Sequence, residues 1–349
     1  MTVSGTIGTE PGSPEEPETT RSGVGPAESR ALLNAERFAL PGLLVAVFLF
    51  FALWSKTGSQ FRSLTDLQEV GSSQVYIGIL VLASLFPLVC GEFDFSVGQV
   101  AGFTQIVTAT CMARFHLPLL VAVLVAVAFG ALIGLNNGNV VARIGVNSLI
   151  VTLGISGVLL GVVNWYTASQ SISEGISSKL VSFGDSNFLG IPDVVYLLIG
   201  AAAVVYYVLE HTPYGRYLTS IGSNARAARL VGLRVERLKL SAFVLSGALA
   251  GLAGVLLVAK NGSASPEAGS VLDTLTALAA CYLGATSIRP GRFNVLGALL
   301  ALYFIAFSIS GLALAGVQSW VNDVFYGSAL FLAVTVSTVI GRRRAGVTT

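Results

Sequence analysis

Two carboxylates stand close together in a part of the sequence that offers almost no other charge. Gly91-Glu92-Phe93-Asp94-Phe95-Ser96-Val97-Gly98 joins two apolar runs. An ionised side chain at mid-membrane costs about 2.5–3.5 kcal/mol on insertion scales, so a carboxylate in such surroundings faces a polar cavity or a partner. Two roles fit these residues. In one, Asp94 or Ser96 caps the free N–H groups that open the next helix, with Glu92 at the lipid–water boundary. In the other, the segment breaks a membrane helix and lines a solute path, with Phe93 and Phe95 as apolar walls or a gate. The two are compatible, because a capped helix start can itself face a path.

A second segment, Glu210 to Lys239, carries six Lys and Arg residues between two apolar runs. Ser223 or Asn224 is placed to cap a short helix, Ala225 to Val231 favours one, and Gly232 is placed to stop it. Arg226 and Arg229 lie three apart and share a face. Such a helix either lies against anionic lipid or offers a docking surface to a soluble partner. The remaining polar features read as structural. Asp273 and Asp323 fall in first helical turns, where a carboxylate suits the helix dipole. Gly130, Gly134 and Gly138, with Gly247 and Gly251, have the four-residue spacing that lets helices approach closely in lipid. His116 and His211 sit at helix ends as interfacial groups. Cys90, Cys111 and Cys281 lie in apolar runs and are odd in number, which argues for packing and against a disulfide framework or metal cluster. Only four lysines occur and none follows a glycine, so the GxxxxGK[ST] phosphate loop is absent from this sequence. Any ATP that drives this protein is bound by another chain, and no cofactor, metal or catalytic residue is expected.

The elements that hold these residues follow from composition. Apolar residues make up 54% of the chain, charged ones 11%, and the mean hydropathy is +0.78, far from the roughly 25% charged usage of soluble domains. About twenty apolar residues span the hydrocarbon layer. The sequence offers ten candidate runs, at 38–54, 74–90, 97–113, 116–135, 147–166, 190–209, 238–259, 271–287, 294–314 and 320–340. An all-α integral membrane protein of about ten helices is therefore expected, with 38–340 as the membrane domain. Residues 1–37, rich in Gly, Pro, Ser, Thr and Glu, read as a disordered tail, and 341–349 as a basic one. No signal peptide is expected ahead of the first run. With both ends cytoplasmic, an alternating path places fifteen Lys and Arg residues inside and five outside, as the positive-inside rule requires. Trp54, Trp165 and Trp320 then all fall at outer helix ends, where interfacial anchors belong. Gly145-Val146-Asn147-Ser148 opens the fifth run and Gly316-Val317-Gln318-Ser319 the tenth. That offset of five helices is the mark of an inverted 5+5 repeat.

These motifs together resemble the permeases of the ribose-type sugar ABC importers, in the branched-chain and monosaccharide permease superfamily, over nearly all of residues 38–340. Gly91 to Gly98 is similar to the family's Gly-Gly-Ile-Asp-Leu-Ser-Val-Gly. Gly215-Arg216, Gly222, Asn224, Ala227-Ala228 and Gly232 resemble its cytoplasmic segment. Leu245-Ser246-Gly247, Ala250 to Gly254, Gly284 to Ser287 and Gly291-Arg292 resemble a third motif. The resemblance implies a type II importer fold in the bacterial plasma membrane. It implies a second permease copy or a paralogue, two cytoplasmic ATPase domains docked on the 210–239 loop and an extracytoplasmic solute-binding protein, with no nucleic acid. It would put Glu92, Phe93, Asp94, Phe95, Ser96, Thr274 and Thr276 beside the solute path, and Gly222, Asn224, Arg226, Ala227, Ala228, Arg229 and Gly232 in ATPase coupling. Glu92 replaces a glycine of the family pattern, Asn147 stands where proline is common, Thr274-Leu275-Thr276 occupies the place of an acidic pair, and Arg289-Pro290 replaces small residues. The solute expected is a monosaccharide or related polyol, with a nucleoside or signalling furanose as the alternative. The rival of a different class is an ion-coupled secondary transporter using Glu92 and Asp94.

Overall fold

The computed structural model describes residues 26–318 and scattered positions from Trp320 to Thr335. The chain divides into two units, residues 1–35 and 36–349. The first helix, α1 (Pro26–Leu53), is described from Pro26, inside the stretch expected as tail, and its apolar part is Arg37–Leu53. Then come α2 (Gly58–Phe61), α3 (Leu64–Ser73), α4 (Val75–Val89), α5 (Val97–Ala113) and α6 (Leu119–Asn139), which widens into a π turn at Val140–Ile144. Beyond these lie α7 (Ser148–Thr167), α8 (Ser178–Asp185), α9 (Asp193–His211), α10 (Pro213–Ser223), α11 (Ala225–Leu230), α12 (Val235–Asn261), α13 (Val271–Gly284) and α14 (Val295–Leu314). Nine of the ten expected apolar runs are helices. The tenth lies mostly outside the described residues, as does Asp323. Six described spans are long and apolar enough to cross a membrane, α3 and α4 counting together. The only described sheet is a hairpin, Asn187–Phe188 antiparallel to Ile191–Pro192, turned at Leu189 and Gly190, both at positive φ.

Local chemistry explains the helix ends. Asn147 opens α7 by accepting from the Leu149 N–H at 2.9 Å, and Asn294 opens α14 by accepting from Gly297 N–H at 2.7 Å. Ser270 and Asp273 form a reciprocal capping box at the start of α13, as expected of Asp273. All three cysteines are buried and free.

The core is organised around α12, which packs against α4, α5 and α6. The glycine spacing explains how closely α6 and α12 approach. A Cβ added to Gly130 would sit 2.2 Å from the Gly247 carbonyl oxygen, and one on Gly134 equally close to that of Phe243. The helices therefore touch main chain to main chain, which dispersion favours in lipid, where no hydrophobic effect drives association. Gly134→Val should lower the melting temperature of the purified protein strongly, since overpacking alone costs about 1–3 kcal/mol. Gly200→Ala, whose Cβ meets nothing within 4 Å, should leave the melting temperature nearly unchanged.

Candidate functional site

The carboxylate segment begins where α4 stops. Gly91 takes φ +82°, its N–H donates to the Leu88 carbonyl (3.0 Å), and the Glu92 N–H reaches back to Pro87 (2.9 Å). This pair of bonds is the glycine-terminated stop that satisfies the last carbonyls of a helix. Residues 92–96 then run without helical bonds until α5 opens at Val97. Their backbone groups lie among membrane helices, where every N–H and C=O needs a partner within the protein.

Those partners are hydroxyls from neighbouring helices. Ser148, Thr152 and Ser156 recur every four residues on one face of α7. The Phe93 N–H donates to Ser148 Oγ (3.1 Å) and the Phe95 N–H to Thr152 Oγ1 (3.0 Å). The Phe95 carbonyl accepts from Ser156 Oγ at 3.1 Å. From the other side Thr274 of α13 accepts from the Gly98 N–H at 3.0 Å. The free N–H groups at the start of α5 are thus served in part from across the fold. Ser96 occupies the N-cap position but makes no side-chain cap bond, which corrects the expectation that it would cap the helix. Asp94 does not reach the α5 interior either. Its Oδ1 accepts from Ser96 N–H (3.0 Å) and Ser96 Oγ (2.5 Å), and its Oδ2 accepts from Ser246 Oγ of α12 (2.9 Å).

Asp94 is 2% exposed and Ser96 1%, so this carboxylate is sealed inside the bundle with three hydroxyl or amide donors around it. Asn137 of α6 extends the cluster by donating to Ser96 Oγ at 2.9 Å, while its own Oδ1 is buried without a partner. Glu92 is largely buried and ion-paired with Lys239 near the start of α12. Phe93 stacks on Tyr282 of α13 at 6.4 Å between ring centroids and lies 6.3 Å from Phe95. Of the expected path residues, Thr276 alone stays apart, its hydroxyl donating to Leu272 within α13 (2.9 Å).

A second irregular stretch, 262–270, runs along α5. Gln105 Nε2 donates to the Ser265 (2.6 Å) and Ala268 (3.2 Å) carbonyls, and a Cβ on Gly102 would meet the Ala268 oxygen at 2.7 Å. A Cβ on Gly98, in the first turn of α5, would lie 2.4 Å from the Ser270 oxygen. The N-terminal ends of α5 and α13, each preceded by non-helical chain, therefore meet inside the molecule.

The expected coupling loop is two helices rather than one. Pro213 at N1 after the capping Thr212 starts α10, a start signature present in the sequence. Asn224, not Ser223, caps α11, accepting from the Arg226 and Ala227 N–H groups at 3.0 Å each. Gly232 ends it at φ +84°, with Gly232 N–H to Arg229 and Leu233 N–H to Ala228 carbonyls. Ala228 is buried, whereas Arg226, Ala227 and Arg229 face out beside Leu230 and Val231, 89% and 77% exposed. Arg229 pairs with Glu236 at 2.8 Å. Gly222, at the end of α10, rests on the root of the carboxylate segment: a Cβ there would meet the Val89 oxygen at 2.2 Å, and one on Gly91 would meet Gly222 Cα at 3.4 Å.

Sequence reasoning missed Asn137 and the α7 hydroxyls. The four-residue spacing of Ser148, Thr152 and Ser156 within an apolar helix was the available signal. Comparison with known proteins covers the region that contains every one of these residues. A family model described as the permease component of branched-chain amino acid transport systems matches residues 67–334. The ribose import permease protein RbsC of Escherichia coli K12 is 32% identical over 296 residues, covering 84% of this chain and 92% of its own. The RbsC of Haemophilus influenzae is 29% identical over 303 residues, covering 86% and 93%. The autoinducer 2 import system permease protein LsrC of Salmonella typhi is 30% identical over 288 residues, 82% of each chain. No solved structure matches the chain. With a family match across most of its length and these relatives aligned over more than four fifths of both chains, the chain belongs to this family of transport-system permease components.

Proposed function

We propose that this chain is the transmembrane subunit of an ATP-binding-cassette importer that moves a monosaccharide or related polyol across the plasma membrane by alternating access. ATP is bound by two separate ATPase domains, a solute-binding protein delivers the cargo from outside, and a second permease copy or paralogue completes the pore. The observation that carries this reading is the backbone contact of Gly222 with Val89. It joins the exposed α10–α11 pair directly to the segment bearing Asp94. A load applied to α11 by a cytoplasmic partner, with Leu230 and Val231 as its apolar contact, is then felt at the buried carboxylate.

Ten membrane helices with both termini cytoplasmic fit the reading, the tenth being the run at 320–340. The inverted repeat is supported by two pairings. Gly145 and Gly316 both take φ +84°. The short helices α5 and α13, the third and eighth runs, each follow a non-helical stretch, and broken helices at matching places in two halves point to the solute site. On this reading Asp94, Ser96 and Thr274 line the path in its open states, and the state described here holds them closed. Phe93 and Phe95 then wall the path. The names of the relatives, ribose for RbsC and autoinducer 2 for LsrC, support a sugar or a signalling furanose as cargo.

Purification of the chain from native membranes should bring down an ATPase whose activity rises with one sugar in the presence of its binding protein. An ATPase-free protein that takes up solute on an ion gradient in liposomes would instead establish a secondary transporter. Asp94→Asn removes one of two accepting oxygens from a buried cluster, which should cost about 1–3 kcal/mol of stability and reduce uptake at least tenfold at equal membrane level. Uptake equal to wild type would limit Asp94 to a structural role. Gly232→Val forces a β-branched residue into left-handed backbone. It should leave membrane insertion intact while solute-stimulated ATPase activity falls, and normal transport by this variant would remove α11 from coupling.

A further inference from the structure

The outer flank of the bundle carries a groove that the proposed transport cycle does not use. It runs between α3, α9 and α14, encloses about 660 Å³, and is lined almost wholly by apolar side chains, among them Leu67, Val195, Ile199, Ala202 and Leu299. At one end the lining passes to Tyr206 of α9 and to Val295 and Leu296 of α14. One turn further along α9, and just before α14, a second cavity of about 450 Å³ begins, lined by Leu209, Glu210, Arg289, Arg292 and Phe293 with Thr219 and Ser223 of α10. Its chemistry is the opposite of the groove's. Arg289 is ion-paired with Glu210, and Arg292 is exposed and makes no ion pair among the described residues. The cavity therefore holds a net positive charge. Arg289-Pro290 is also where this sequence departs from the small residues of the ribose-type pattern.

An apolar groove that ends at a basic cavity has the two-part chemistry of an anionic phospholipid. We propose that the α9–α14 groove and the Arg289–Arg292 cavity together hold one such lipid. Its acyl chain lies along Ala202 and Leu299, and its phosphate lies at Arg292 with Arg289 beside it. Basic pockets between membrane helices on the cytoplasmic side are suited to acidic headgroups. A free phosphate ester would use the cavity but gain nothing from the groove, and the groove's length along α9 and α14 favours the lipid. The proposal rests on the membrane orientation given above and not on the identity of the cargo, so either can fail without the other. Because the same cavity is walled by Val89, Gly91 and Gly222, a headgroup there abuts the joint between α10 and the Asp94 segment.

The test is native mass spectrometry of the full-length chain, released from detergent after titration with palmitoyl-oleoyl phosphatidylglycerol or with the phosphatidylcholine of the same chains. The wild type should retain one phosphatidylglycerol and prefer it to phosphatidylcholine. Arg292→Ala and Arg289→Ala should each weaken retention about fivefold, Arg292→Lys should restore most of it, and Arg237→Ala, which does not line the cavity, should change nothing. Ala202→Phe, which fills the groove and leaves the arginines in place, should lose phosphatidylglycerol while leaving any binding of soluble glycerol 1-phosphate unaltered. Equal retention of the two lipids by the wild type overturns the proposal, and that comparison stands even where an arginine variant fails to fold. Loss of glycerol 1-phosphate without loss of lipid would reassign the cavity to a soluble anion, and unaltered lipid retention in Ala202→Phe would leave the groove to a second copy or to the C-terminal segment.

Discussion

Backbone that leaves the helical conformation inside a membrane protein must find hydrogen-bond partners within the protein, and residues 92–96 place that demand on everything around them. Two helices answer it with hydroxyls, α7 through Ser148, Thr152 and Ser156 and α13 through Thr274, which donates to the Phe95 carbonyl, while Ser246 of α12 holds the Asp94 side chain of the same segment. Each of those helices is consequently fixed in rotation and height relative to the segment, because a turn of about 100° along any of them would carry its hydroxyl out of reach. The bundle is arranged around this segment rather than merely enclosing it. Removing a single hydroxyl leaves a buried donor or acceptor unpaired, which is the costly direction of hydrogen-bond loss.

The close approach of α6 and α12 follows from the same need. Asn137 and Ser246 meet the Asp94 cluster from these two helices, and the glycine contacts at Gly130, Gly134 and Gly247 bring the helices near enough for both to do so. Small residues here serve geometry first: they set the spacing at which a polar cluster can be closed.

Much of this was legible in the sequence. Apolar runs located nine helices because burial in lipid leaves a composition signal that needs no tertiary context. The stop at Gly232 and the Asp273 cap were readable because caps are local chemistry. The 92–96 segment could be identified as a break, but its partners could not, since Ser148 and Thr152 lie more than fifty residues away and only the fold brings them to Phe93 and Phe95. The pairing of Glu92 with Lys239 was hidden for the same reason. Helix α10 is a different case. Its Thr212-Pro213 start was visible, and the basic charge of the loop drew attention to Arg226 and Arg229 instead.

The contact of Gly222 with Val89 has a mechanical meaning. Side chains between two moving bodies act as a soft layer: rotamers turn, and part of any displacement is absorbed before it reaches the far side. Main chain against main chain has no such layer, and close-packed protein is nearly incompressible. Under the proposed coupling, the end of α10 would act as a rigid push-rod with no backlash. A displacement of the helix pair would pass with little loss to the root of the Asp94 segment, so the reach of the segment would be set at the surface and not in the core.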